Sequence, residues 1–302
     1  MRRQYLKGFW AAWLPAVLVL VLLFAGCDSV VPLIEAVEEQ GRTFAVLDYL
    51  TLVVETTNGK VQVWGVDGLE EVEVTAVLHA WGDTQEQAQE RLEQLAVEMS
   101  QEADKVSLQF RSTSAYRAWG KSPQVDFEVA VPTVADITVV VENGSIGVAD
   151  VTGTLSADTE NGSIDAVNVR GAAVIETDNG SIDIEQAQAH LELITDNGTI
   201  TVSQSQCSLD AETDNGDIHF SGQLVGPQHR MKSGNGRLIA EVLSDSELAI
   251  EARVNNGSIS TTLPLVGDTQ GKEWSAILNA PTSKLILQTG NGSIKIRGLA
   301  GI

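Results

Sequence analysis

TENGSID, at residues 159–165, recurs with small changes as TDNGSID (177–183), TDNGTIT (195–201) and TDNGDIH (213–219), each time 18 residues further on. A fixed period this short indicates one structural unit stacked on copies of itself. The repeat therefore predicts the architecture of the chain before any catalytic motif is considered.

Eight Asn-Gly pairs from residue 143 onward mark the turns of this repeat. They are Asn143-Gly144, Asn161-Gly162, Asn179-Gly180, Asn197-Gly198, Asn215-Gly216, Asn235-Gly236, Asn256-Gly257 and Asn291-Gly292. Gly adopts positive φ freely and Asn tolerates it, so each pair predicts a tight turn. Stacked Asn side chains also hydrogen-bond from one strand layer to the next in cross-β assemblies. We therefore interpret the pairs as a structural turn ladder without a catalytic role.

A Thr stands two residues before the Asn in most rows of the repeat. These residues are Thr159, Thr177, Thr195, Thr213 and Thr289. Their hydroxyl groups predict a second ladder that runs beside the Asn side chains.

Apolar residues alternate with polar ones on both sides of each Asn-Gly pair, which predicts two short strands per row with one face buried. Two folds use such a row. Asn-Gly between alternating strands is a strong hairpin signal and would give an antiparallel meander. In a β-solenoid, each row is one coil and equivalent residues stack about 4.8 Å apart. The solenoid is favoured because one column is Ile in five rows: Ile146, Ile164, Ile182, Ile200 and Ile218.

The predicted fold is therefore all-β, a parallel β-solenoid of about eight coils of 18–21 residues with an N-terminal α+β cap. We divide the chain into a signal peptide (1–26), a lipidated tether (27–43), a cap with a first coil (44–132) and the solenoid repeats (133–302). The first coil is predicted at Asn58-Gly59.

The caps are predicted from the two places where the repeat is interrupted. An amphipathic helix is expected from Asp83 to Ala103, beginning with a capping box formed by Thr84 and Gln87. Near the other end, Pro264 to Ser283 is expected to leave the solenoid before a last coil. Open solenoid ends require covering, because unpaired strand edges recruit other chains.

The first 27 residues resemble the leader of a bacterial lipoprotein. Basic residues precede an apolar run from Gly8 to Phe24, and the run ends in Ala25-Gly26-Cys27, the small-residue pattern of a cleavage site. The resemblance implies that Cys27 carries a lipid after cleavage and that the rest of the chain faces outward. The alternative is an uncleaved signal anchor, since the apolar run is just long enough to span a bilayer.

The chain has a formal net charge of −22 at pH 7. Such a surface repels nucleic acid and anionic headgroups, so cations, basic surfaces and neutral glycans are the expected partners. The alternative is that the acidic residues only keep the protein soluble. An unidentified envelope protein or glycan remains the expected partner, besides the membrane that the lipid on Cys27 would enter.

One acidic column raises the question of a metal. Glu142, Glu160, Asp178, Asp196 and Asp214 stand immediately before their Asn residues. Either water and turn N–H groups stabilise these carboxylates, or calcium binds between coils with Asp178, Asp196 and Asp214 as candidate ligands. No spacing matches an EF-hand, so hydrated turns are favoured and no cofactor is predicted.

No catalytic motif is recognised in the chain. Its four histidines show no metal-binding spacing, and there is no nucleophile elbow, P-loop or Cys-x-x-Cys. Cys207 is predicted to be a small core or turn residue. Trp274, Tyr116, Arg117 and Trp119 lie in loop-like contexts, where packing over a cap is favoured over ligand binding.

The lipobox, the capped insertion and the repeated T-[DE]-N-G-S-I turn together resemble the bacterial putative-adhesin family, a β-solenoid domain of unknown function. The resemblance covers roughly residues 44–302 and implies a role at the cell envelope, including adhesion. It supplies no catalytic or ligand-binding residues. The leading hypothesis is a lipid-anchored, non-catalytic binding or scaffold protein. The alternatives are a glycan-processing β-helix enzyme and an envelope-stress accessory protein that acts through its cap.

Overall fold

The computed structural model describes residues 33–299, apart from residue 47 and residues 113–120. The predicted signal peptide, Cys27 and the aromatic segment with Tyr116, Arg117 and Trp119 lie outside the described residues. Within the described ranges, no helix has both the length and the apolar character needed to cross a membrane.

The structure is almost entirely β. Its elements are β1 (Ile34–Ala45), β2 (Leu50–Asn58), β3 (Val61–Val66), β4 (Glu71–Gly82), α1 (Gln85–Leu92), β5 (Val97–Glu102), β6 (Lys105–Phe110), β7 (Gln124–Pro132), β8 (Ala135–Asn143), β9 (Ile146–Ala149), β10 (Thr152–Asn161), β11 (Ile164–Val167), β12 (Arg170–Thr177), β13 (Ile182–Glu185), β14 (Gln188–Asn197), β15 (Ile200–Asn215), β16 (Ile218–Leu224), β17 (Gln228–Asn235), β18 (Leu238–Leu243), β19 (Leu248–Thr261), β20 (Val266–Asp268), β21 (Glu273–Leu278) and β22 (Ser283–Leu299).

The strands form two walls. Wall A contains, in spatial order, β5, β6, β2, β8, β10, β12, β14, β15, β17, β22, β19, β21 and β20. Wall B contains β1, β4, β7, β3, β9, β11, β13, β15, β16, β18, β22 and β19. The long strands β15, β19 and β22 contribute to both walls because each continues around a turn.

Successive coils stack in parallel and in register. Ile164 has Ile146 and Ile182 as its Cα partners, and the column continues to Ile200 and Ile218. This pairing confirms the parallel β-solenoid and excludes the antiparallel meander for the repeat. Each Ile of this column therefore has an Ile of the adjacent coil as its neighbour.

The core lies between the two walls and runs the length of the solenoid. The Ile column of wall B is fully buried, with 0% exposure at Ile146 and Ile164. It packs opposite the apolar residues of wall A, such as Ile137 and Leu191. Burying an Ile or Leu side chain contributes about 1.5–3 kcal/mol relative to leaving it exposed. The repeated apolar columns therefore stabilise the stack along its whole length.

At the N-terminal end, the order of coils in space differs from their order in sequence. The coil β2–β3 lies between the coil β6–β7 and the coil β8–β9. Wall B is then extended by the antiparallel strands β4 and β1, and wall A by β5. The predicted coil at Asn58-Gly59 is therefore present, paired on both sides.

Two sequence predictions for this end are wrong in part. The helix starts as predicted, with Thr84 as N-cap accepting a hydrogen bond from the Gln87 N–H. It ends at Leu92, and residues 97–102 form β5, because pairing with β6 outweighs their helical pattern. Most of the predicted tether is also structured, since residues 34–43 belong to β1, which pairs with β4 over its full length.

At the C-terminal end, the last coil of the sequence is also inserted between two others. Strand β22 pairs with β17 and β18 on one side and with β19 on the other. The excursion after Pro264 forms β20 and β21, and β21 covers β19 on wall A. Trp274 in β21 is 9% exposed and belongs to the core, as the packing interpretation predicted. The predicted excursion before a last coil is thus present, but the coil that is last in sequence is not the outermost in space.

Candidate binding surfaces and the Asn-Gly turn ladder

The Asn side chains form one continuous hydrogen-bonded ladder along the solenoid. Each Nδ2 donates to the Oδ1 of the neighbouring coil at 2.7–3.1 Å. In spatial order the ladder runs Asn143, Asn161, Asn179, Asn197, Asn215, Asn235, Asn291 and Asn256. All donors point toward the N-terminal end, so neighbouring amides polarise one another in the same direction. The predicted Asn ladder thus exists, with its last two members exchanged.

The Gly residues of the ladder are required by close stacking. A Cβ on Gly198 would lie 1.8 Å from the carbonyl oxygen of Gly180, and one on Gly162 would lie 1.9 Å from that of Gly144. Of the eight predicted pairs, only Gly144 and Gly257 have clearly positive φ, and no ladder Asn does. The expectation that positive φ explains the Asn-Gly pairs is therefore wrong for most of them.

The Thr hydroxyl groups bond the backbone instead of one another. Thr159 Oγ1 donates to the Gly144 carbonyl of the preceding coil at 3.0 Å, and Thr177 Oγ1 donates to that of Gly162 at 2.9 Å. Thr195, Thr213 and Thr289 repeat the same contact. Their side chains are almost completely buried, so each hydroxyl satisfies a carbonyl that is shielded from water. The predicted hydroxyl ladder is thus a hydroxyl-to-carbonyl ladder.

A second turn column, opposite the Asn-Gly turns, was missed by sequence reasoning. Asp150, Asn168, Gln186 and Gln204 all have φ between 50° and 58°, in the left-handed region. Asn168 Nδ2 donates to Asp150 Oδ1 at 2.6 Å. The signal in the sequence is a column of polar residues at the 18-residue period, whose first two members, Asp150 and Asn168, are residue types that turns favour.

The outer face of wall A is the main candidate binding surface, which we call the acidic face. Its carboxylates lie on β8, β10, β12, β14 and β15 or directly after these strands, and include Glu142, Asp158, Glu160, Glu176, Asp178, Glu192, Asp196, Asp210, Glu212 and Asp214. In the part of the chain that the structure describes, only Asp210 and Glu212 among these form ion pairs. The other carboxylates face solvent without a cationic partner.

The next coil shows how cationic side chains fit this face. Arg230 on β17 contacts Asp210 at 2.9 Å through Nε and Glu212 at 2.7 Å through Nη2, and Lys232 also pairs with Glu212. These contacts, with the Lys232 hydrogen bond first, hold the pKa of Glu212 below its ordinary value. Further along the stack the same columns carry acids without such partners, and burial together with the Asp178 charge raises the pKa of Asp158.

Apolar side chains lie among these carboxylates. Val140 is 39% exposed and Val174 is 43% exposed, and both lie on the outer side of wall A. Such a surface offers both negative charge, which complements a basic partner, and exposed aliphatic groups, which can be buried on contact. Two clefts of the described chain lie near the ends of the solenoid.

The calcium candidates Asp178, Asp196 and Asp214 lie in one column, one per coil, and all are exposed. Among the described residues, no group of three or more His, Cys, Asp or Glu side chains is arranged to hold a metal ion. The geometry therefore gives the calcium hypothesis no coordination sphere.

Two groups that could carry chemistry elsewhere are buried in the core. Burial raises the pKa of the Cys207 thiol to about 12, so the thiolate that would act as a nucleophile is disfavoured. His229 is 1% exposed, accepts a hydrogen bond from the Leu209 N–H and contacts Ser283 Oγ at 3.0 Å. Both residues pack between coils, as predicted for Cys207.

The fold and its stacked turns define the class of this protein as a parallel β-solenoid with an Asn-Gly turn ladder. The family described as Toastrack DUF4097 matches residues 51–297, and the chain belongs to this family. That match also confirms the resemblance to the putative-adhesin family. No curated protein matches the chain.

Several solved structures are similar to this chain at low sequence identity. A putative cell adhesion protein from Clostridium sporogenes ATCC 15579 has 9% identity, with 86% of this chain and 100% of that chain covered and a TM-score of 0.30. A putative adhesin from Bacteroides fragilis NCTC 9343 has 14% identity, with 85% and 96% covered and a TM-score of 0.38. A protein from Parabacteroides distasonis ATCC 8503, described as a putative lipid binding protein, has 12% identity, 85% and 96% coverage and a TM-score of 0.27.

Proposed function

We propose that this protein is a non-catalytic binding scaffold of the bacterial cell envelope, anchored outside the cytoplasm by a lipid on Cys27, and that its acidic face binds a basic protein partner. One observation supports the acidic face as the binding surface. The described carboxylates of this face are unpaired along β8 to β14, while the adjacent coil supplies Arg230 and Lys232 to the same columns in β15.

Charge complementarity explains why the partner is basic. With a formal net charge of −22, the chain attracts cationic surfaces at long range and repels polyanions. The exposed Val140 and Val174 side chains then provide apolar contact between the charged columns. The hydrogen-bonded ladder also favours binding, because it keeps the face rigid and a preorganised face loses little conformational entropy when it binds.

Site-specific photocrosslinking on intact cells tests the surface. A crosslinking residue in place of Glu176 on wall A is expected to capture a basic protein, and the capture is expected to fall as the salt concentration rises. The matched control replaces Glu185, an exposed glutamate on the outer face of wall B. Equal capture from both positions, or capture that salt does not change, would contradict the assignment to the acidic face.

The lipid anchor is tested separately. Cys27→Ser is expected to abolish incorporation of labelled fatty acid and to release the protein from the membrane fraction. Cys207→Ser is the control, because that thiol is buried in the core and is expected to leave both measurements unchanged. Turnover of any neutral or acidic glycan by the purified protein would refute the non-catalytic role.

A further inference from the structure

A cleft of about 370 Å³ lies at the N-terminal end of the turn ladder. Its lining includes Lys60, Lys121, Ser122, Ser145, Asn58 and Asn143, and none of its described lining residues carries a carboxylate. The chain as a whole has 41 Asp and Glu residues against 19 Lys and Arg. The cleft is thus a local reversal of the charge that dominates the surface.

The Asn ladder is interrupted at this cleft. Asn58 and Asn143 are Cα partners, but Asn143 Nδ2 donates to the Thr57 carbonyl at 3.3 Å and not to the amide of Asn58. The Thr56 hydroxyl donates to the carbonyl of Asn58 in its own turn. Asn58 therefore lines the cleft without the amide-to-amide contact that joins the other members of the ladder.

The position of one lysine is fixed by an aromatic ring. Lys121 Nζ lies 3.7 Å from the centroid of the Trp81 ring, which is itself 6% exposed. A cation–π contact orients an ammonium group without neutralising its charge. In the described part of the chain, neither Lys121 nor Lys60 forms an ion pair.

Two acidic side chains lie beside this cleft without forming an ion pair with either lysine. Asp126 Oδ1 accepts hydrogen bonds from the Lys60 backbone N–H and from Gln124 Nε2, both at 2.8 Å. Asp165 is influenced by the charge of Lys60, but no ion-pair contact joins them. Two ammonium groups and two hydroxyl groups therefore remain available to a ligand.

We propose that this cleft binds a monosaccharide-sized ligand that carries a single carboxylate or sulfate group. Ammonium groups form the strongest hydrogen bonds with oxyanions, while the hydroxyl groups of Ser122 and Ser145 and the amide of Asn58 suit the neutral hydroxyls of a sugar. The volume lies within the range of small-molecule sites. A polyanion is disfavoured, because the surrounding surface would repel its remaining charges. This site is independent of the partner proposed for the acidic face.

Titration of the isotope-labelled full chain with glucuronate, inorganic sulfate and glucose tests the proposal by NMR. Glucuronate and sulfate are expected to give saturable shifts at the amides of Gly59, Lys60, Gly144 and Ser145, and glucose is expected to give none. The double substitution Lys60→Gln with Lys121→Gln is expected to weaken glucuronate binding about tenfold or more, which corresponds to the loss of about one charge-assisted hydrogen bond.

Lys295→Gln is the matched control, since Lys295 lies on the outer side of wall B in β22, outside the cleft. Lys60 and Lys121 are exposed and Lys295 is half-buried, and unchanged melting would show that the fold of each variant is intact. Equal shifts with glucose, or equal weakening by the control, would overturn the proposal. So would binding to phosphatidylglycerol vesicles that glucuronate fails to compete, because the oxyanion would then be a lipid headgroup. If photocrosslinking captures no basic partner but glucuronate still binds the cleft, only the proposal for the acidic face is refuted.

Discussion

From Asn143 to Asn235 each coil lies beside the coil that precedes it in sequence, whereas at both ends the chain places its terminal coil one position inward. Coil β2–β3 lies between strands β6 and β7 on one side and coil β8–β9 on the other, and β22 lies between β18 and β19. A coil at an open end has one unpaired edge and frays, but an inserted coil is paired on both sides. The ends are therefore stabilised by inserting a coil between two others, and the middle is stabilised by the stacking of equivalent rows.

Deleting segments from the two regions is expected to produce the largest contrast. Removal of residues 283–302 takes away β22, which is the parallel partner of β17, β18 and β19. We expect loss of cooperative unfolding in thermal denaturation followed by circular dichroism. Removal of residues 173–190, one full row, keeps the register of the remaining coils and is expected to preserve a cooperative transition. If the two deletions behave alike, the contrast between locked ends and repeated middle is lost.

Gly198→Ala tests the stacking of the middle region. The added Cβ would lie 1.8 Å from the Gly180 carbonyl oxygen, so the coils must separate locally, and we expect a loss of about 3 kcal/mol in the free energy of unfolding. Gly41→Ala in β1 is the control, because its nearest contact is 3.9 Å away. Denaturant titration measures both. A Gly198→Ala protein as stable as the control would show that the ladder tolerates wider spacing.

The Asn ladder is expected to contribute less per residue. Asn197→Ala removes two amide-to-amide hydrogen bonds and Asn256→Ala removes one, since Asn256 is the last member of the ladder. At about 1 kcal/mol for each hydrogen bond, we expect losses of about 2 and about 1 kcal/mol. Equal losses in denaturant titration would show that the number of amide-to-amide hydrogen bonds does not set the contribution of each Asn to stability.

The smallest expected effect is a pH dependence at the inserted C-terminal strand. Burial lowers the pKa of His229, which contacts Ser283 at the start of β22. The unfolded chain then binds a proton near pH 6.5 while the folded chain does not. Stability is expected to fall as the pH drops from about 6.5 toward the lower folded pKa. In His229→Gln this part of the pH dependence should disappear, and in the control His190→Gln, at an exposed position, it should remain.

The repeat could be predicted from the sequence because equivalent positions of successive rows lie in the same structural environment and carry similar residues. The Ile column, the Asn ladder and the buried Thr residues all follow from reading equivalent positions across rows. The helix end and β1 could not be predicted so well. Residues 97–102 carry a helical pattern but pair with β6, and residues 34–43 resemble a tether but pair with β4. Long-range pairing overrides local propensity at these places.

The candidate surfaces divide in the same way. The acidic column before each Asn is visible in the sequence, since a fixed period places equivalent carboxylates on one face. The cleft is not, because it brings together Lys60 and Lys121, which are distant in sequence and belong to different coils. Its lysine geometry also depends on Trp81, which lies on β4.

The sequence by itself determined the parallel stack, its period and its buried columns, because rows of the same pattern bury their apolar residues together only when they stack in register. The sign of the charge follows from composition alone. Only the tertiary structure decided which coil is last, why Gly is required in the ladder, and where Lys60 and Lys121 meet. These features depend on contacts between segments far apart in the chain, and no periodic pattern encodes such contacts.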